Sequence, residues 1–147
     1  ILNALPDAKI LHLERNPMAT CWSIYKSEFN NPDMGFTYKQ EYIAEFYLLY
    51  KNLMTFWKNK YPNQFINIVY EEFVEDYENN IKKIFQNLEL NWENHLLEFY
   101  KNKRPVETSS FQQVRKKIYQ NSSDEWKKYK TYLNPMMEIL SKNNIKF

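Results

Sequence analysis

An arginine directly before an Asn-Pro pair, Arg15-Asn16-Pro17, with Ser23 eight residues after the arginine, is the arrangement in this chain best suited to chemistry. Asn is a strong helix N-cap and Pro is favoured at the first helical position, so the spacing predicts a helix start there. A guanidinium fork beside the free N–H groups of a helix start suits a phosphate. Ser23, two turns into that helix, could add a hydroxyl from the side. A plainer reading stands beside this one, with Arg15 paired to a nearby carboxylate and Ser23 facing water. Tyr70 ends a second apolar run and could lay its ring beside a nucleobase, or be an ordinary core tyrosine. Two basic clusters, Arg115 to Lys117 and Lys127, Lys128 and Lys130, lie among Tyr119, Trp126 and Tyr129. They could hold nucleic acid by charge and stacking, or be solvated helix faces.

Other groups offer less. Glu71 and Glu72 are adjacent, so on a strand they point to opposite sides and cannot act as an acid/base pair. His12 and His95 are far apart in the chain, which gives metal binding little support, and His12 reads as a satisfied core histidine. The single cysteine, Cys21, excludes an internal disulfide and a cysteine-based zinc site. The single glycine, Gly35, is the most restrictive count. A loop that cradles phosphate needs several glycines, because its backbone must approach the anion closely and adopt positive φ. No P-loop, G-x-G-x-x-G or G-x-S-x-G motif exists in this chain.

The elements that must position these groups fit one domain over residues 1–147. With 44% hydrophobic and 18% aromatic residues, the chain is not disordered. The net charge of +2 selects no partner, and no apolar run is long enough to span a membrane. The first residues are too short and too uncharged for a signal peptide, which leaves the cytoplasm as the expected location. Lys9–Glu14 reads as a buried strand, followed by the helix from Asn16-Pro17 to near Phe29. A loop over 30–35 leads to Thr37-x-x-Gln40, the pattern of a capping box. The long helix behind it places Ile43, Phe46, Tyr47, Tyr50, Leu53, Met54 and Trp57 inward and stops near Tyr61-Pro62. Phe65–Tyr70 is a second strand. Helices are expected after Asp76 and Asn91, over Gln112–Tyr119, after Ser122-x-x-Glu125 (a second capping-box pattern), and from Asn134-Pro135. Each strand precedes a helix, which argues α/β with parallel strands. Two strands make a poor sheet, so either the sheet is unusually small or the chain belongs to a larger α/β domain.

Several segments in order resemble the C-terminal half of sulfotransferases, in particular the bacterial family related to tyrosylprotein sulfotransferases and often found with tetratricopeptide repeats. Residues 6–17 are similar to that family's strand into its 3′-phosphate site, whose arginine and serine stand eight apart, as Arg15 and Ser23 do. Val69-Tyr70-Glu71-Glu72-Phe73-Val74 resembles the family's Tyr-Glu-x-Leu-Val segment, and Leu88–Trp92 its Leu-x-Leu-x-Trp turn. Residues 108–115, 118–119 and 122–126 resemble its C-terminal nucleotide clamp.

The resemblance implies a partial P-loop-type sulfotransferase fold that lacks the N-terminal 5′-phosphosulfate loop. It implies transfer of a sulfuryl group from 3′-phosphoadenosine-5′-phosphosulfate (PAPS) to an acceptor hydroxyl or amine, with no metal. Arg15 and Ser23 would bind the 3′-phosphate, Tyr70 and Ser110 would contact the nucleotide, and Arg115 and Lys127 would close over it. The family's catalytic base lies before Lys9, so no catalytic residue is expected in this chain, which would be catalytically incomplete alone. Two departures bear on the clamp. Glu125 precedes Trp126 where many relatives carry a base, which leaves Lys127 as substitute, and Lys117 stands where a proline is usual. The alternative is a non-enzymatic nucleotide- or RNA-binding module, although no nucleic acid partner is expected. Pairing of two copies along an open strand edge also remains open.

Overall fold

The computed structural model of the chain describes residues 1–29, 31–102, 104–105 and 114–147. They form two compact units, one of residues 1–70 and 121–147, the other of residues 71–120.

The first unit holds both strands, β1 (Ile10–Glu14) and β2 (Phe65–Val69). They pair in parallel, Ile10 opposite Phe65 through Glu14 opposite Val69. Helix α1 (Pro17–Tyr25) follows β1 directly. The Asn16 side chain accepts a hydrogen bond from the Ala19 N–H at 3.0 Å, so the Asn-Pro start behaves as its chemistry dictates. A 3-10 segment, Pro32–Tyr38, leads into the long helix α2 (Gln40–Lys60). A 3-10 segment over Glu125–Tyr132 and helix α5 (Asn134–Lys142) complete this unit.

The core sits between α1, α2, α5 and the 125–132 segment. Met18, Cys21, Ile43, Tyr47, Trp126, Leu133, Met136 and Leu140 are buried there. The sheet contributes little to it. One side carries His12 and Asn67; the other carries Leu11, Leu13, Ile66 and Ile68, where Leu11 and Leu13 stay half exposed. Parallel sheets are ordinarily covered on both faces. This one is covered on one among the described residues.

The second unit contains most of α3 (Tyr70–Glu75), then α4 (Tyr77–Asn87) and a 3-10 segment over Asn94–Lys101. An edge-to-face series of rings, Phe73 on Tyr77, Tyr77 on Phe99 and Phe99 on Tyr100, holds it together.

Mixed α/β architecture and parallel pairing agree with the sequence pattern. Several local expectations do not. Neither capping box forms: Thr37 is buried and donates to the Met34 carbonyl, and Gln40 donates to the Tyr132 carbonyl. The N-cap of α2 is Lys39, two residues later than the pattern requires, and Thr37 belongs to the 3-10 segment before it. Helix α1 ends at Tyr25 rather than near Phe29. Phe46 and Leu53 face outward, because α2 carries large apolar residues on two sides and periodicity alone picks out both. The segment after Asn91 becomes helical only at Asn94. Residues 114–116 form a turn and 117–119 are irregular, with no helix, while Gln112 and Gln113 lie outside the described residues. Glu71 and Glu72 lie on α3, not on a strand. Neighbours on a helix still do not face each other, so they remain unsuited to paired acid/base work.

Candidate functional site

Successive strand residues point to opposite sides, and this alternation separates Glu14 from Arg15. Glu14, the last residue of β1, pairs with Lys51 and, at 3.6 Å, with Lys58, both on α2. The bond from Lys51 holds the Glu14 carboxyl below its ordinary value, against the upward push of partial burial; the charges of Lys51 and Lys58 and a bond from Asn67 lower it further. On the same side, His12 is buried and doubly satisfied, with Nδ1 2.7 Å from Asn67 Oδ1 and Nε2 2.6 Å from the Tyr50 hydroxyl. Burial, reinforced by the Glu14 charge, raises Tyr50 above its usual value. His12 is therefore a structural histidine, as its place in the strand suggested.

Arg15 is different. Its guanidinium is half buried and, among the described residues, hydrogen-bonded by neutral groups. Nε donates to Ser123 Oγ at 3.1 Å, and Nη2 donates to the Ser122 carbonyl at 2.7 Å and to Ser122 Oγ at 3.1 Å. The face of the guanidinium lies over the Tyr70 ring, 4.9 Å from the centroid. The Tyr70 hydroxyl is 3.1 Å from Ser122 Oγ. Among the described residues no carboxylate forms an ion pair with Arg15. The plainer reading, an arginine consumed by an internal carboxylate, is thus not the arrangement found. A half-buried cation ringed by hydroxyls can exchange those partners for an anion's oxygens, and its charge-assisted bonds would strengthen in doing so.

Two details refine the expected phosphate site. The N–H supply of α1 is reduced, since Pro17 has none and the Ala19 N–H is taken by Asn16. Hydroxyls meet Arg15 instead: Ser122 and Ser123 follow Asn121, whose φ of 70° lies in the left-handed region. Sequence reasoning treated Ser122 as a helix cap and passed over Ser123. The usable signal was a pair of adjacent hydroxyls at the start of the segment resembling the nucleotide clamp.

The remaining candidates divide. Tyr70 joins Arg15 directly. Ser23 is half buried on α1, seven residues after Asn16 and so on the same helix face; none of the bonds to Arg15 above is its own. Lys127 is exposed and pairs with Asp124 at 2.6 Å. Arg115, in the second unit, donates to the Arg104 carbonyl. Ser110 lies outside the described residues.

Strand, helix start and an arginine with no ion-pair partner among the described residues meet at the carboxyl end of a parallel strand of an α/β domain, the position where such sheets ordinarily bind ligands. Comparison with known proteins gives the class a family. Residues 1–94 match the model of the sulfotransferase family, and the chain belongs to that family. An uncharacterized protein of Aquifex aeolicus (strain VF5) is 37% identical over 142 residues, covering 95% of this chain and 19% of the relative. The chain therefore spans about a fifth of the length of that relative. No solved structure matches.

Proposed function

We propose that this chain supplies the 3′-phosphoadenosine-binding part of a sulfotransferase that moves a sulfuryl group from PAPS to an acceptor hydroxyl. The observation that supports it is Arg15: a cation at a strand-to-helix junction, bound to hydroxyls and a carbonyl, with an aromatic ring against its face.

In this reading the 3′-phosphate takes the place of the serine contacts on Arg15. The Ser122 and Ser123 hydroxyls turn to donate to it, and Ser23 adds a donor from the α1 face it shares with Asn16. Tyr70 keeps the guanidinium plane oriented and offers its ring edge to the adenosine side. Lys127 leaves Asp124, an exposed pair worth little, to close over the nucleotide. Arg115 and Ser110 are assigned to the same nucleotide by the family resemblance alone. In the transfer itself the acceptor oxygen forms a bond to sulfur as the bond from sulfur to the 5′-phosphate oxygen breaks. The acceptor proton passes to a base outside this chain, and 3′-phosphoadenosine-5′-phosphate leaves. Cations near the leaving phosphate stabilise its growing charge, as in phosphoryl transfer. The 5′-phosphosulfate loop is likewise supplied by residues outside this chain. No metal enters this scheme.

Among the described residues no helix is long and apolar enough to cross a membrane. The cytoplasm is the compartment this reading assigns.

Isothermal calorimetry tests the proposal. The chain should bind 3′-phosphoadenosine-5′-phosphate at least tenfold more tightly than 5′-AMP. Equal affinities, or binding of single-stranded oligonucleotides with a steep salt dependence and no preference for the 3′-phosphate, would overturn it.

A further inference from the structure

Helix α2 has two apolar sides. The inner side, with Ile43, Ala44 and Tyr47, is buried in the core. The outer side carries Tyr42, Phe46, Leu49, Leu53 and Phe56, each 47% to 65% exposed, and Tyr38 just ahead of the helix continues the row. Their spacing of four, three, four and three residues is the seam of a coiled coil. A contiguous exposed stripe of large apolar side chains marks an interaction surface.

We propose that α2 is the seam of a two-fold dimer, in which the outer sides of two copies pack antiparallel about Leu49. The occupant is argued from the pattern itself, which reads nearly the same in both directions. Laid antiparallel on a second copy, Tyr42 meets Phe56, Phe46 meets Leu53, and Leu49 meets its own counterpart. This is the self-complementarity that a two-fold contact requires.

Charge selects the antiparallel arrangement over a parallel one. The exposed acids Glu41 and Glu45 lie in the first two turns, and the exposed Lys60 ends the helix with its ammonium over the Phe56 and Trp57 rings. Antiparallel packing brings Glu41 of one copy within a turn of Lys60 of the other and opposes the helix dipoles. Parallel packing would set acids against acids and lysines against lysines. Lys39, ahead of the helix and over the Tyr42 ring at 5.0 Å, adds one like charge at each end, against two carboxylates. Covering six half-exposed large side chains on each copy removes roughly 1,000 Å² in total, at the lower limit for a specific interface, so the dimer should be a weak, reversible one. The surface is a helix side, not the open sheet edge that the strand count alone suggested.

Analytical ultracentrifugation of the full chain from about 1 to 200 μM should show a reversible monomer–dimer equilibrium. Leu49→Glu places two carboxylates against each other on the axis and should weaken it at least tenfold, with an unchanged circular dichroism spectrum. Leu13→Glu, on the open sheet face, should leave it unchanged. Leu49→Cys adds a readout that does not depend on the glutamate variant folding. Residue 49 faces itself across the axis, so mild oxidation should give a disulfide-linked dimer, while Tyr42→Cys should not. A strict monomer at every concentration, a dimer indifferent to Leu49→Glu, or cross-linking through Tyr42→Cys in preference to Leu49→Cys would overturn the proposal. The first result would leave the outer side of α2 to another partner or to further chain.

Discussion

The Arg15 guanidinium lies over the Tyr70 ring, 4.9 Å from its centroid, and the Tyr70 hydroxyl reaches Ser122 Oγ at 3.1 Å. One tyrosine thus orients both the cation and one of the hydroxyls that hold it. Position 70 follows β2 directly and position 15 follows β1, so parallel pairing of the strands brings the two side chains to one end of the sheet.

Tyr70→Phe keeps the ring and removes one hydrogen bond. It should cost about 0.5–1.5 kcal/mol of stability and reduce 3′-phosphoadenosine-5′-phosphate affinity only a few fold. Tyr70→Leu also removes the cation–π contact, worth about 0.5–1 kcal/mol more, and should loosen Arg15 enough to lower affinity a further few fold. Chemical denaturation and calorimetry on both variants check the order.

Ser122→Ala with Ser123→Ala leaves Arg15 only the Ser122 carbonyl among its present hydrogen-bond partners. Stability should fall by about 1–2 kcal/mol, and nucleotide affinity by roughly tenfold if both hydroxyls turn to the phosphate. A double variant that binds as tightly as the parent would remove the serines from the site.

The cluster around Arg15 was only partly legible in the sequence. Arg15, Asn16 and Pro17 could be read because their roles are local: a strand end, a cap and a first helical turn. Ser122 and Ser123 were obscured because Ser-x-x-Glu is also a local capping pattern, and here a partner more than a hundred residues away wins the hydroxyl. The same competition undid Thr37-x-x-Gln40, where Gln40 reaches the Tyr132 carbonyl instead of its own helix start. Strand pairing followed from element order, since strands that each precede a helix pair in parallel. The orientation of α2 did not, because a helix with two apolar sides gives periodicity no means of choosing between them.

Acid should destabilise the first unit through Glu14. Lys51, partial burial notwithstanding, holds this carboxyl below its ordinary value of 4.5 in the folded chain. A depressed carboxyl contributes its stability in full above the unfolded value and loses it as pH falls through the lower folded value. Denaturant midpoints should therefore drop below about pH 4.5, and Glu14→Gln should flatten that part of the profile. An unaltered profile in the variant would separate Glu14 from the effect.

Cys21 is fully buried, and burial pushes its thiol up to about 12. Only the thiolate is nucleophilic, so a disulfide reagent at pH 8 should label the native chain very slowly and the denatured chain at once. Prompt native labelling would show that α1 does not pack against α2 and α5 as described.

The most direct test watches Arg15 itself. The chain has three arginines, Arg15, Arg104 and Arg115, so ¹⁵N-arginine labelling gives three Nε signals, and Arg15→Lys identifies the first by its loss. Addition of 3′-phosphoadenosine-5′-phosphate should shift the Arg15 signal strongly, and 5′-AMP at the same concentration should leave it in place. A nucleotide that binds without moving Arg15, or one that moves it equally with and without the 3′-phosphate, would contradict the account.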